Sequence, residues 1–146
     1  MSASYSHILL ATDLLQESCS VAEKAKQLAE LYQAKFSLIH VMESLPIYFG
    51  NELVLPETQA IERQLLERAE QKMAKLCQPL GVDKLETHVE MGVTKIEIIE
   101  FAKQNSVDLI VLGSHSRHGL EHLLGSTARA VVNVAQCDVL AVRFSQ

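Results

Sequence analysis

The residues with the most chemistry in this 146-residue chain lie in one stretch, 109–128, which reads Leu-Ile-Val-Leu-Gly-Ser-His-Ser-Arg-His-Gly-Leu-Glu-His-Leu-Leu-Gly-Ser-Thr-Ala. An apolar run ends at Gly113 and opens into a polar loop. Gly125 then introduces Ser126 and Thr127 ahead of a helical pattern. Strand, phosphate-sized loop and helix N-terminus in that order make an anion site, because backbone N–H groups and the positive end of the helix dipole face the loop. Ser126 and Thr127 suit the role of helix caps, and a bound phosphate would use the same hydroxyls, so the two readings coexist. The loop also spaces His115, His118 and His122 as His-x-x-His-x-x-x-His. Three imidazoles and a water would make an open zinc site. Gly119 works against a continuous helix that would gather them, and only Glu121 stands nearby as a further ligand. Loop histidines without metal are the preferred reading, and no metal ligand is assigned. Arg117 is within reach of a phosphate, though its ordinary role is a solvated loop charge.

Elements able to hold such a loop alternate along the whole chain. Apolar runs at 7–11, 36–42, 85–91, 109–112 and 139–144 read as strands. Between them, apolar residues at helical spacing mark helices at 17–32, 57–77, 94–104 and 126–135. In the second of these, Ile61, Leu65, Leu66, Ala69, Met73 and Leu76 share one side, and Pro79 and Gly81 end the helix. In the third, Ile96, Ile98, Ile99 and Ala102 face inward, and Gly92 makes the turn that precedes it. Residues 43–56 read as irregular, and Ile47, Tyr48 and Phe49 within them form either a lid or partner surface, or a loop pinned by its own apolar residues. Strands separated by helices imply right-handed crossovers and a parallel sheet covered on both faces. The fold class is therefore α/β, a single-domain doubly wound five-stranded parallel sheet spanning residues 1–146. Ligands in such sheets sit beyond the carboxyl ends of the strands, where the strand order reverses. Thr12-Asp13, Val41-Met42 and the Gly113 loop all fall at such ends and converge on one crevice. Asp13 could equally cap the next helix or tie down its loop. His7 and His40, in buried strands, are expected to hydrogen-bond internally.

Composition narrows the function classes. The hydrophobic fraction is 48% and the charged fraction 21%, as in a globular domain. A net charge of −5, with no run of Lys or Arg, argues against nucleic-acid binding. No apolar run approaches the ~20 residues of a membrane span. Met1 to Ser6 carry no secretory pattern, so a cytoplasmic location is expected. Three unclustered cysteines, Cys19, Cys77 and Cys137, fit a reducing compartment, and each is expected to be a small buried hydrophobe.

Several segments resemble those of the universal stress proteins of the A type, over nearly the whole chain. They are His7-Ile-Leu-Leu-Ala-Thr-Asp13, Ser37-Leu-Ile-His-Val41, Asp108-Leu-Ile-Val-Leu-Gly-Ser-His115, Gly125-Ser-Thr-Ala128 and Cys137-Asp-Val-Leu-Ala-Val-Arg143. The resemblance implies a Rossmann-like, adenine nucleotide alpha hydrolase-like sheet, a homodimer formed through the last strand, and a role in stress. It also implies binding of ATP or another adenine nucleotide, with Mg if ATP. Asp13 would take the adenosine end, with Ala11 and Thr12 lining the pocket beside it and the main chain at Val41 on the adenine edge. The main chain at Gly113, Ser116, Gly125, Ser126 and Thr127 would surround the phosphates. Ser116 stands where the family pattern has its second glycine. Its Cβ restricts φ, while its hydroxyl can donate to a phosphate oxygen. A nucleotide-free protein acting through protein contacts and a weak ATPase are the alternatives. The chain lacks a P-loop lysine followed by Ser or Thr, so no enzyme activity is expected. Val139, Ala141 and Phe144 make the last strand apolar enough to pair with a second copy.

Overall fold

A computed structural model describes residues 4–15, 18–43, 48–49, 52–53, 55–81, 85–114 and 124–143. Its strands are β1 (His7–Ala11), β2 (Lys35–Met42), β3 (Tyr48–Phe49), β4 (Glu52–Leu53), β5 (Glu86–Met91), β6 (Leu109–Gly113) and β7 (Asp138–Val142). Its helices are α1 (Ser18–Tyr32), α2 (Leu55–Cys77), α3 (Thr94–Gln104) and α4 (Ser126–Val134), with a short 3-10 turn at Gln78–Leu80. Five strands form one sheet in the order β5-β2-β1-β6-β7, and every pairing in it is parallel. The chain builds outward from β1 through β2 to β5, then crosses back to β6 and β7. The strand order therefore reverses between β1 and β6.

Continuous apolar runs make the central strands suited to burial on both faces. Leu9, Ile110 and Val111 are wholly buried, and so are Ile8 and Leu38. Alternation divides these residues between two cores. Ile8, Leu10, Leu38 and Val111 pack with α1 and the end of α2 on one face. Leu9, Ile39, Val41, Ile110 and Leu112 pack with Ile98, Ile99 and Val131 of α3 and α4 on the other. Gly92 turns β5 into α3 at φ +155°, a conformation that L side chains rarely adopt, and its N–H donates to the Met42 carbonyl at 2.9 Å. That bond seats the start of α3 beside the end of β2.

Several expectations need correction. Residues 43–56 are not wholly irregular: Tyr48–Phe49 and Glu52–Leu53 pair antiparallel as a small hairpin. Two-residue strands carry no readable alternation, which is why sequence patterning missed them. Ile96, Ile61 and Leu65 do not face the core but are 50%, 44% and 48% exposed. Ile96 lies about 200° round α3 from the buried Ile98, and in α2 full burial begins only at Ala69 and Met73. Cys19 is exposed and Cys77 and Cys137 are half-buried, so none of the three is a core residue. Ile47 and Phe144 lie outside the described residues.

Candidate functional site

The carboxyl ends of β1, β2 and β6 and the N-termini of α3 and α4 enclose a cavity of about 510 Å³. Each side of it follows from the fold. The strand order reverses here, so the crossovers to α1 and α4 leave the sheet in opposite directions and part above it. Ala11, Thr12, Asp13, Val41, Gly113, Gly125, Ser126 and Thr127, eight of the nine residues anticipated from sequence, all line this cavity. Ser116, the ninth, lies outside the described residues, as do Arg117 and the three loop histidines. Among the described residues no group of three or more His, Cys, Asp or Glu side chains is placed to hold a metal ion.

On the α1 side the wall is a turn held by its own side chains. The Leu14 N–H donates to the Thr12 hydroxyl at 3.0 Å, and the Leu15 N–H donates to Asp13 Oδ1 at 2.9 Å. The Ser18 hydroxyl, at the start of α1, donates to the same Asp13 oxygen. Asp13 thus ties down its loop. Between these bonds Leu14 sits at φ 62°, in the left-handed region. From the neighbouring strand, Thr12 N–H donates to the Ile39 carbonyl at 2.9 Å, and His40 Nδ1 meets the Thr12 carbonyl at 2.8 Å.

The opposite wall is the start of α4. Ser126 and Thr127 are not its caps: Gly125 is the N-cap, with φ −59° and ψ 157°, and it has no side chain to bond the first turn. The reason is local. Gly125 is already extended and donates its own N–H to the Ser114 carbonyl at 2.8 Å, so it takes the cap position and Ser126 becomes the first helical residue. The first-turn N–H groups of an α-helix lack intrahelical acceptors. Here those of Ser126, Thr127 and Ala128 take no side-chain bond from the N-cap and belong to residues that line the cavity.

A third side is formed by Glu43, just beyond β2, whose carboxylate accepts from the Thr94 hydroxyl at 3.2 Å. Thr94 opens α3, whose N-cap Val93 likewise supplies no side-chain bond. The floor is apolar, made by Leu10, Ile39, Val41, Ile98 and Leu112. Among the described residues lining the cavity there is no Lys or Arg. An apolar floor with carboxylates and backbone carbonyls at one end and free amides and hydroxyls at the other fits a ligand that is flat and partly apolar at one end and anionic at the other.

Ser18, His40, Glu43 and Thr94 line the cavity without having been singled out for it. The available signal was positional: Glu43 follows a strand end, and Ser18 and Thr94 open helices that leave from strand ends. His40 was expected to bond internally, and it does.

At the far, amino end of the sheet, His7 is also internally satisfied. Its Nδ1–H donates to the Asn105 carbonyl at 2.9 Å, and Nε2 accepts from the buried Ser37 hydroxyl at 2.7 Å. The Asp108 carboxylate accepts the N–H groups of Ser6 and His7 at 2.8 and 3.0 Å. This end is closed by bonds within the protein, in contrast to the open carboxyl end.

A doubly wound parallel sheet with its crevice at the order reversal defines an α/β domain whose cavity lies where such sheets hold ligands. The universal stress protein family matches residues 4–143, and the chain belongs to that family. It is 39% identical over 138 residues to Universal stress protein A homolog 1 of Coxiella burnetii, which covers 94% of this chain and 96% of that protein. Among solved structures it is similar to the universal stress protein UspA from Lactobacillus plantarum, at 25% identity and a TM-score of 0.77, covering 99% of this chain and 100% of that one. A universal stress protein crystallised in complex with cAMP shares the fold at 24% identity and a TM-score of 0.65, covering 98% of this chain and 100% of that one.

Proposed function

We propose that this chain is a cytoplasmic, dimeric module that binds ATP or another adenine nucleotide in the carboxyl-end cavity and acts in a stress response. One observation carries the reading: residues from four separate segments, each expected at a nucleotide from sequence, line a single cavity of about 510 Å³. The adenine lies on the apolar floor, its edge toward the main chain at Val41, and Asp13 accepts hydrogen bonds from the adenosine end. The phosphates meet the uncapped amides of Ser126, Thr127 and Ala128, which offer donors in place of cationic side chains. Magnesium, where ATP is the ligand, enters bound to the phosphates, as that ion commonly does. The fold-sharing universal stress protein crystallised with cAMP supports an adenine nucleotide as the ligand class. The module binds its nucleotide and is not an enzyme, in keeping with a chain that has no P-loop lysine.

Equilibrium titration with ATP and Mg²⁺ tests the proposal, with Gly125→Glu as the control. A carboxylate at the N-cap of α4 opposes an anion at the same place. Saturable binding by the wild-type protein and its loss in Gly125→Glu are expected. Absence of binding at millimolar ATP removes the nucleotide and leaves the nucleotide-free interaction protein. Binding that appears only in Ser116→Gly assigns the failure to that one loop residue.

A further inference from the structure

We infer that His40 is the positioning residue of the Asp13 turn, holding the adenosine end of the cavity in place through the Thr12 carbonyl. The inference rests on the proposed nucleotide site for its functional consequence, while its structural part stands on the hydrogen bonds alone.

Thr12 is the first residue beyond β1, and Leu14 is forced to φ 62°. A left-handed conformation is disfavoured for a side chain of that size and persists where surrounding bonds over-determine it. Two of the bonds present are made by the turn to itself: Leu14 N–H to the Thr12 hydroxyl and Leu15 N–H to Asp13 Oδ1. Bonds within a turn keep its shape but do not fix where it sits against the sheet. The Ser18 hydroxyl ties Asp13 to the start of α1, and two bonds from β2 tie the turn to the sheet. The Ile39 carbonyl accepts the Thr12 N–H at 2.9 Å, and His40 reaches the Thr12 carbonyl at 2.8 Å. Thr12 is thereby gripped on both faces of one residue, with the imidazole supplying the only side chain from β2 among the described bonds to it.

The chemistry fixes the tautomer. A carbonyl oxygen only accepts, so Nδ1 must carry the proton. In the neutral ring Nε2 is then a bare acceptor. The grip is lost on switching to the Nε2–H tautomer or on removing the donor. His40 also borders the cavity, and Thr12 is buried, so displacement of this carbonyl would carry Asp13 with it.

Three measurements on the full chain decide the matter. Long-range ¹⁵N–¹H spectra of the neutral imidazole are expected to show the Nδ1–H tautomer for His40, and the Nε2–H form overturns the inference. Amide exchange of Leu14 and Leu15 without nucleotide is expected to quicken roughly tenfold in His40→Leu while exchange in the central strands is unchanged. Equal protection in wild type and variant overturns the inference whatever the ligand. Mg·ATP affinity is expected to fall about tenfold in His40→Leu, the loss of one well-formed hydrogen bond. It should recover in His40→Asn, whose carboxamide nitrogen replaces the Nδ1 donor. Equal loss in both variants overturns positioning through the donor. A wild-type protein that binds no nucleotide overturns the proposed function, while the tautomer and the exchange rates still decide the role of His40 in the turn.

Discussion

The Gly125 amide donates to the Ser114 carbonyl at 2.8 Å, so the chain leaves β6 and enters α4 at two points bonded to each other. Ser114 is itself held, its N–H donating to the Val142 carbonyl of β7 at 2.9 Å. The two feet of the loop are thus fixed to the sheet, and the start of α4 faces the cavity whatever path residues 115–123 take. The amides proposed to hold phosphate belong to this frame.

Asp13 joins binding to stability at the other wall. Asp13→Ala removes the acceptor for both the Leu15 amide and the Ser18 hydroxyl. Loss of such a turn-closing oxygen costs about 1 kcal/mol, and Mg·ATP affinity falls with it. Asp13→Asn keeps an acceptor oxygen and is expected to keep the stability. Urea unfolding of the three proteins checks the order; an Asn variant as unstable as the Ala variant contradicts it.

Ser37 is wholly buried and gives its hydroxyl to His7 Nε2. In Ser37→Ala the ring nitrogen is left without a partner inside the fold, a cost of about 1–3 kcal/mol. Chemical denaturation measures it. A change within a few tenths of a kcal/mol would show that water replaces the hydroxyl. The pair lies at the end of the sheet remote from the cavity, so nucleotide affinity is expected to be unchanged.

The cysteines should separate by reactivity. Cys19 is exposed on α1, while burial pushes the thiols of Cys77 and Cys137 above the ordinary cysteine value, with Asp138 and Asp108 adding to the effect at Cys137. The thiolate is the nucleophile, so a raised pKa lowers the reactive fraction at any pH below it. At about pH 8, iodoacetamide is expected to label Cys19 first, and the lag at the other two should narrow as pH rises. Peptide mass spectrometry resolves the order, and Cys77 reacting first would contradict it.

β7 stands at the edge of the sheet with Leu140 37% exposed, and Val132 and Val134 of α4 beside it are 48% and 56% exposed. An edge strand flanked by apolar side chains is the surface proposed to pair with a second copy. Sedimentation at micromolar concentration is expected to give a dimer, and Leu140→Asp to weaken it. A wild-type monomer contradicts the proposed assembly.

Much of this was legible in the residues. Uninterrupted apolar runs such as Leu109–Gly113 announced strands buried on both faces, and Gly92 marked a turn that needs a positive φ. Strand ends followed by Thr12-Asp13, by Met42 and by Gly113 pointed to one crevice, because parallel strands bring all such ends to one edge. Tertiary contacts were less legible. Ser126 and Thr127 have the chemistry of caps, but Gly125, bonded to Ser114, takes the cap position. Ile96 has core chemistry, yet it lies on the exposed side of α3. His40 looked like an ordinary strand histidine, since its bond to Thr12 joins residues 28 apart in the chain.

The adenine-nucleotide reading is tested most directly by backbone ¹⁵N–¹H shifts recorded as Mg·ATP is added. Saturable shifts are predicted at Thr12, Asp13, Val41, Gly113 and Gly125 through Ala128, with His7, Ser37 and Asp108 at the opposite end unmoved. No shifts at millimolar ATP, or shifts gathered away from the carboxyl ends of the strands, would contradict it.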